Sequence, residues 1–265
     1  MSKELVLLKI GGSVITKKDE DIATVLERNV RRISKEIADA INERDFKLII
    51  VHGAGPFGHI PANRYKLNNG LKNKKQISGF VKTHQSMERL NYKVVEILQE
   101  NGLNAVAFQP SACGILKNRR LVCFPIDVMK RFIEIGIIPV SYGDVLLDED
   151  TGINILSGDH LVPYIAEKLK ADKIIMATDV KGIYDSDPKE NKNARFIPEI
   201  TSNNIKYIGI GNSRTMDVTG GMRRKVEELM RVAETGIEIR IVSGIDRGIL
   251  KKALLGEHVG TVIKY

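Results

Sequence analysis

Apolar positions along the chain follow two alternating rhythms. Leu5 to Ile10 and Lys47 to Val51 are short, nearly continuous apolar runs of strand length, while Ile22, Leu26, Val30, Ile33, Ile37 and Ile41 between them recur at helical spacing. A β-α-β opening is predicted. A second long helix is predicted from Phe80, Met87, Leu90, Val94 and Ile97, followed by a strand over Asn104 to Phe108, a helix over Ile126 to Ile135 and a strand over Ile137 to Ser141. Turn residues near Lys117-Asn-Arg and at Asp150-Thr-Gly152 predict two hairpins, with Gly152 supplying the positive φ of the second. Beyond Leu156-Ser-Gly-Asp-His160 the pattern gives a helix to Leu169, a strand over Lys173 to Thr178 and a helix over Gly221 to Thr235. A strand over Glu238 to Val242, a helix over Asp246 to Leu254 and a strand over Gly260 to Ile263 complete it. Such alternation implies an α/β protein with a mainly parallel sheet, short hairpins and helices on both faces. No linker or internal repeat divides the chain, so a single continuous domain is expected, with an N-terminal lobe of about residues 1–155 and a C-terminal lobe of about residues 156–265.

Composition narrows the class. The 265 residues, 43% hydrophobic and 28% charged, suffice to bury a large core and carry no signature of disorder. No apolar run approaches the roughly 18 residues of a membrane span, and the N-terminus enters LVLLKI without a signal-peptide pattern, so a cytoplasmic protein is expected. Cys113 and Cys123 lack C-x-x-C spacing and are expected to be reduced thiols without chemistry. The 41 Lys and Arg exceed the 33 Asp and Glu, giving +8, but these charges are scattered and lack stacking aromatics, so neither nucleic acid nor membrane is an expected partner. One stretch stands apart. From Phe46 to Met87 there is no Asp or Glu, while Lys47, Arg64, Lys66, Lys72, Lys74, Lys75 and Lys82 make a field that attracts an anionic ligand.

Inside that stretch lies VHGAGPFGH, Val51 to His59, with a formal G-x-G-x-x-G at Gly53, Gly55 and Gly58. A dinucleotide fingerprint needs an acidic residue about 20 positions on, yet the first carboxylate after Gly58 is Glu88, and Pro56 interrupts the loop. The Walker pattern is absent as well. Small residues after a buried strand instead let backbone N–H groups converge on an oxyanion. His59 adds a donor on that rim; its alternative is a residue at a helix start, with Pro61 in the first turn. His52, at the strand end, is read as scaffold. Lys9-Ile-Gly-Gly-Ser13 offers a second nest, with Lys9 as a fixed charge and Lys17 or Lys18 reaching back. A third turn, Asp217-Val-Thr-Gly-Gly-Met222, leads into a helix carrying Lys225, either as an anion site or as an ordinary glycine-rich helix entry. Asp159 either caps its helix or orients neighbouring lysines.

Taken together, KIGGS, VHGAGPFGH, SGDH, ATDVKGIYDSDP and DVTGGMRRK resemble the amino-acid kinase superfamily, in matching order over almost the whole chain. The F-G-H ending and the DVTGGM segment are most similar to the branch that uses ATP to turn isopentenyl phosphate into isopentenyl diphosphate. The resemblance implies an open three-layer αβα sandwich, a phosphotransferase with a phosphate acceptor, and a homodimer formed through the N-terminal lobe. By motif, it puts Lys9 on the transferring phosphoryl group, Gly11, Gly12 and Ser13 around the ATP phosphates, and Lys18 as further charge support. Ala54, Gly55 and His59 would flank the acceptor phosphate, Gly158 would approach it, and Asp159 would organise Lys9 and Lys225. Asp179, Tyr184, Gly220 and Lys225 fall on the nucleotide side, and Gly55 is shared between acceptor and ATP. Ala54 and Pro56 depart from the residues common in relatives.

Phosphoryl transfer between phosphates asks mainly for positioning and charge stabilisation, which lysines and N–H nests supply. The acceptor is already largely ionised near neutral pH, so no strong general base is needed and His59 is assigned to binding and alignment. Mg²⁺ is expected with ATP, held mostly by phosphates rather than by a protein-built site. Phe80, Thr83 and Met87 are candidates for a recess around the hydrocarbon tail, with core packing as their alternative. The rival acceptors are acetylglutamate, because Asn69-Gly-Leu-Lys72 faintly resembles a substrate loop, and UMP; the rival outside enzymology is a nucleotide-binding sensor.

Overall fold

The computed structural model describes residues 3–17, 22–186, 188, 191–204, 226 and 228–265. At its centre β1 (Leu5–Ile10) lies parallel to β2 (Lys47–His52) on one side and to β9 (Lys173–Thr178) on the other. All six residues of β1 are buried, which is why it reads as a continuous apolar run: helices cover both faces. Beyond β2 the sheet continues through β6 (Ile138–Tyr142) to β3 (Ala105–Ala107). Beyond β9 it continues through β13 (Glu238–Ser243) and β14 (Thr261–Ile263) to β12 (Glu199–Ile200), making eight strands. Among the described residues of this sheet only the β13–β14 pairing is antiparallel.

The two cores follow the alternation along β1. Val6, Leu8 and Ile10 pack against α2 (Glu27–Glu43), α4 (Lys74–Glu100) and α8 (Ile249–Leu255), through residues such as Ile33, Leu90 and Leu250. Leu5 and Leu7 pack on the other face with α5 (Ile126–Glu134), α6 (Gly158–Leu169) and α7, helical over 228–233. This is the three-layer αβα sandwich that the resemblance implied, with the helices on both faces that the pattern predicted. The hairpins form a separate four-stranded sheet in the order β5 (Arg120–Cys123), β4 (Ile115–Lys117), β7 (Asp144–Asp148), β8 (Gly152–Leu156). Asn118 and Arg119 take φ of 47 and 65° at the first turn and Gly152 takes 79° at the second. A short β10 (Ile183–Tyr184) pairs with β11 (Phe196–Ile197).

Several boundaries differ from the periodicity for local reasons. Ile22 shares the helical spacing but is 78% exposed and outside α2, because the chain before the helix is held extended by the Thr16–Val25 bridge and by Leu26 N–H donating to Ile15 O at 2.8 Å. α4 starts well before Phe80, where Asn73 and Gln76 form a reciprocal capping box. α8 starts at Ile249 rather than Asp246, since Gly248 is left-handed at φ 76°. The front of the predicted 221–235 helix lies outside the described residues.

Candidate active site

The ends of β1 and β2 each turn straight into a helix without a side-chain cap. After β1, Gly11 leads into the single turn α1 (Gly12–Ile15); after β2, Ala54 leads into α3 (Gly55–Arg64). The first N–H groups of a helix have no partner within it, so Gly12 and Ser13 on one turn and Ala54, Gly55 and Phe57 on the other present donors that a bound anion can accept. The two turns are in backbone contact. A Cβ on Gly12 would strike Gly55 N, one on Gly53 would sit 2.5 Å from Gly12 N, and one on Gly55 would strike the Thr16 hydroxyl. Gly55 also holds φ 51°, a left-handed conformation that glycine adopts without strain. Each turn is tied to the sheet as well, by Gly11 N–H to Ala177 O and Gly53 N–H to Ile10 O, both 2.8 Å.

α3 changes the expectation for its prolines and for His59. The helix begins at Gly55, so the first-turn proline is Pro56, whose missing N–H is no loss there, while Pro61 lies inside the helix. His59 therefore lies past the first turn and is not a helix-start residue. Ala54 holds φ −82° and ψ −35°, a conformation open to alanine, so neither departure from the usual loop residues distorts the turn.

The side-chain chemistry enters from β1 and α6. Lys9 is only 6% exposed, and a buried ammonium without a counter-charge would cost several kcal/mol. Asp159 answers it, with Lys9 Nζ 2.9 Å from its Oδ1. Gly158 brings the start of α6 close: a Cβ there would lie 3.8 Å from Lys9 Cε and 3.5 Å from His52 O. The cap of α6 is Ser157, whose Oγ accepts from His160 N–H at 3.2 Å, which corrects the reading of Asp159 as a cap and leaves its carboxylate for Lys9. Lys9, Asp159, Gly158 and both glycine turns are thus in one place.

The two histidines of the VHGAGPFGH stretch separate by environment. His52 is completely buried, stacked on Tyr142 with centroids 5.4 Å apart, its Nδ1 3.0 Å from Gly53 O and its Nε2 3.1 Å from Asn91 Nδ2. Burial pushes it down to about 4, so the ring is neutral, donating from Nδ1 and accepting at Nε2. His59 is exposed on α3 and makes no hydrogen bond with the described residues. His52 is thus part of the scaffold, as the sequence implied, while His59 faces solvent.

Other predicted residues fall at varying distances from this point. Asp179 follows β9 and is half-buried; Tyr184 lies in β10 with its ring 5.5 Å from that of Phe196. Phe80, Thr83 and Met87 share a face of α4. Thr83 and Met87 are buried, Met87 Sδ lying 3.1 Å from where a Gly58 Cβ would stand, and Phe80 packs on a small cluster with Leu67, Val145 and Ile153. Lys18, Gly220 and Lys225 lie outside the described residues, as does the whole Asp217–Met222 turn. Sequence reasoning passed over His84 and Asp144, which meet between α4 and β7; no spacing motif links residues so far apart in the chain.

The chain matches the amino acid kinase family over residues 4–243. It is 37% identical over 261 residues to the isopentenyl phosphate kinase of Methanothermobacter thermautotrophicus, covering 96% of this chain and 97% of that one. A crystal structure of isopentenyl phosphate kinase superposes with a TM-score of 0.85 at 34% identity, covering 98% of this chain and 100% of the other. The UMP kinase of Bacillus anthracis, with TM-score 0.66 at 19% identity and coverage of 100% and 97%, shares the fold. The sandwich agrees with these likenesses, and the chain belongs to the amino acid kinase family, in its isopentenyl phosphate kinase branch.

Proposed function

We propose that this chain transfers the γ-phosphoryl group of ATP to the phosphate of isopentenyl phosphate, forming isopentenyl diphosphate and ADP. The observation that carries the reading is Lys9, buried and held at 2.9 Å by Asp159 where the two glycine turns touch. In the transfer an acceptor phosphate oxygen bonds to the γ-phosphorus as its bond to the β,γ-bridging oxygen breaks, and the electron pair of that bond leaves with ADP. Both partners are anions, so the barrier falls when fixed positive charge lies between them and donors are aimed before reaction. Lys9 supplies that charge, and Asp159 holds the ammonium in place. The α1 turn, with Gly11, Gly12 and Ser13, is assigned to the ATP phosphates; Ala54, Gly55 and His59 are assigned to the acceptor, approached by Gly158. Lys18, Gly220 and Lys225 keep their assignment to the ATP side, together with Asp179 and Tyr184. Mg²⁺ enters as part of the substrate, bound to the ATP phosphates.

The same reading assigns acceptor binding to an N-terminal lobe of about residues 1–155 and nucleotide binding to a C-terminal lobe of about residues 156–265. It includes a cytoplasmic homodimer acting on small molecules, with neither nucleic acid nor membrane as partner; light scattering on the purified chain tests the dimer. The acceptor is tested by ADP release with isopentenyl phosphate, dimethylallyl phosphate, UMP and acetylglutamate. Isopentenyl phosphate is expected to give the highest kcat/KM, and a preference for UMP or acetylglutamate overturns the assignment. No ADP release with any acceptor favours the nucleotide-binding sensor.

A further inference from the structure

Between α4 and β7 lies a polar cluster that the phosphate crevice does not use. His84 Nδ1 is 3.4 Å from Asp144 Oδ2 and 3.0 Å from Ser111 Oγ; its Nε2 is 3.0 Å from Gln109 Nε2 and 3.5 Å from Glu88 Oε2. The Asp144 side chain is fully buried, and its other oxygen accepts Val145 N–H at 2.8 Å. A carboxylate at such depth is tolerated only when its oxygens find donors, so His84 is a structural partner with consequences on both sides. On α4, Phe80 precedes it by one turn and stacks on its ring at 6.5 Å, and Met87 follows by about one turn beneath Gly58. On β7, Val145 follows Asp144 directly and belongs to the apolar cluster on which Phe80 packs.

We propose that His84 is a positioning residue for the acceptor: its bonds to Asp144 and Ser111 fix the spacing of α4 from β7, and with it the recess that receives the acceptor's hydrocarbon tail. The inference rests on the reading of function given above. It differs from simple core packing because the fastener is polar and half-exposed, whereas the apolar residues beside it are shaped to the core. The amide of Gln109 donates to Nε2 only when that nitrogen carries no proton, which leaves Nδ1–H for Asp144. Protonation puts a second N–H on the ring, which Glu88 or a turned-over Gln109 amide accepts. The charged groups facing the ring are Asp144 from β7 and Glu88 from α4 itself. Tyr142 on β6 and Cys113 complete the titratable set nearby, and both are neutral, Tyr142 raised by burial and Cys113 pushed by burial to about 11.

The test separates the two substrates. H84A should raise KM for isopentenyl phosphate by about tenfold, the size expected when a buried acceptor loses its donor. It should leave KM for ATP within about twofold, since the ATP phosphates are assigned to the other glycine turn. H84Q, which still offers a donor and an acceptor, should recover most of the loss, and S111A should show a smaller rise of the same kind. Melting curves for each variant establish that it is folded. Unchanged KM for isopentenyl phosphate in folded H84A, or an equal rise in both KM values, overturns the inference; should H84A fail to fold, S111A with unchanged acceptor KM does the same. A wild-type chain that gives no turnover on isopentenyl phosphate overturns the functional reading itself, an outcome seen before any variant is made.

Discussion

The crevice at the ends of β1 and β2 and the wall between α4 and β7 are built from opposite materials. Among the described residues the crevice is mostly backbone: glycines that admit no Cβ, uncapped helix starts, and one ammonium fixed by one carboxylate. The wall is side chain throughout, with aromatic and thioether groups on α4 and a histidine fastened to a buried carboxylate. Phosphates of any acceptor present the same oxygens, so converging N–H groups serve them all. A hydrocarbon tail offers no such handle, and only the shape and spacing of side chains can select it. On the proposed function, the difference puts reactivity in the crevice and selectivity in the wall.

The largest effect should come from Lys9, the buried cation of that crevice among the described residues. Lys9→Ala removes the charge between the two anions and should lower kcat by about 10²-fold or more, read as ADP release at saturating ATP and isopentenyl phosphate. Asp159 keeps 34% of its side chain exposed, so its carboxylate is not left wholly buried and the fold should persist. A loss below about tenfold would mean that the backbone donors and the remaining cations assigned to the ATP side carry the transfer without Lys9, and the contrast with the wall would weaken accordingly.

Next in size is a pH effect that separates the two regions by sign. His52, under the crevice, titrates near 6.5 when unfolded and at about 4 when folded. Its stabilising neutral form therefore contributes fully above about pH 6.5 and is lost as pH falls towards 4, a swing of order 3 kcal/mol. His84, in the wall, shifts the opposite way: its bond to Asp144 raises it, so its contribution is complete below the unfolded value and fades as pH rises through the folded one. Urea unfolding of wild type and His52→Gln across pH 7.5 to 4.5 isolates the first term, since both keep His84. The variant should lose stability less steeply on acidification; parallel curves would show that His52 is not the buried neutral ring described above.

How much of this was legible in the sequence follows the same division. Glycine turns are local, so KIGGS and VHGAGPFGH are visible as short strings, and the strands that carry them read directly because burial on both faces makes them uniformly apolar. The start of α3 at Gly55 was hidden, since a helix opening on Gly-Pro has neither cap nor amphipathic repeat to mark it. Ile22 misled for the converse reason: it sits in phase with α2 while a backbone bridge holds its neighbourhood extended. Of the wall, the sequence singles out Phe80, Thr83 and Met87 on α4 but not the polar fastener. His84, Ser111 and Asp144 come from a helix, a turn and a strand, and each alone is an unremarkable polar residue; only the pairing of α4 with β7 brings them together.

The smallest of these effects tests where the crevice ends and the wall begins. His59 lies on α3 next to Gly58, and Gly58 is pressed between Ala54 and Met87, so the crevice turn and the wall touch at this helix. One residue on, a helix has rotated by about 100°, which carries His59 off that packed face and out to solvent. An exposed ring without a hydrogen bond to the described residues adds little to folding, so His59→Ala should leave the melting temperature almost unchanged. If the ring reaches the acceptor phosphate, its loss removes a charge-assisted contact of roughly 1.5 to 3 kcal/mol, seen as a fall in kcat/KM for isopentenyl phosphate of about ten- to a hundredfold. Because that contact is to the phosphate and not to the tail, the fall should be the same for dimethylallyl phosphate, whereas His84→Ala should change the ratio between the two acceptors. Equal kinetics for wild type and His59→Ala would leave the acceptor phosphate to the backbone of Ala54, Gly55 and Phe57. A changed ratio in His59→Ala would instead place the ring with the wall, where selection by shape, rather than by charge, governs what is phosphorylated.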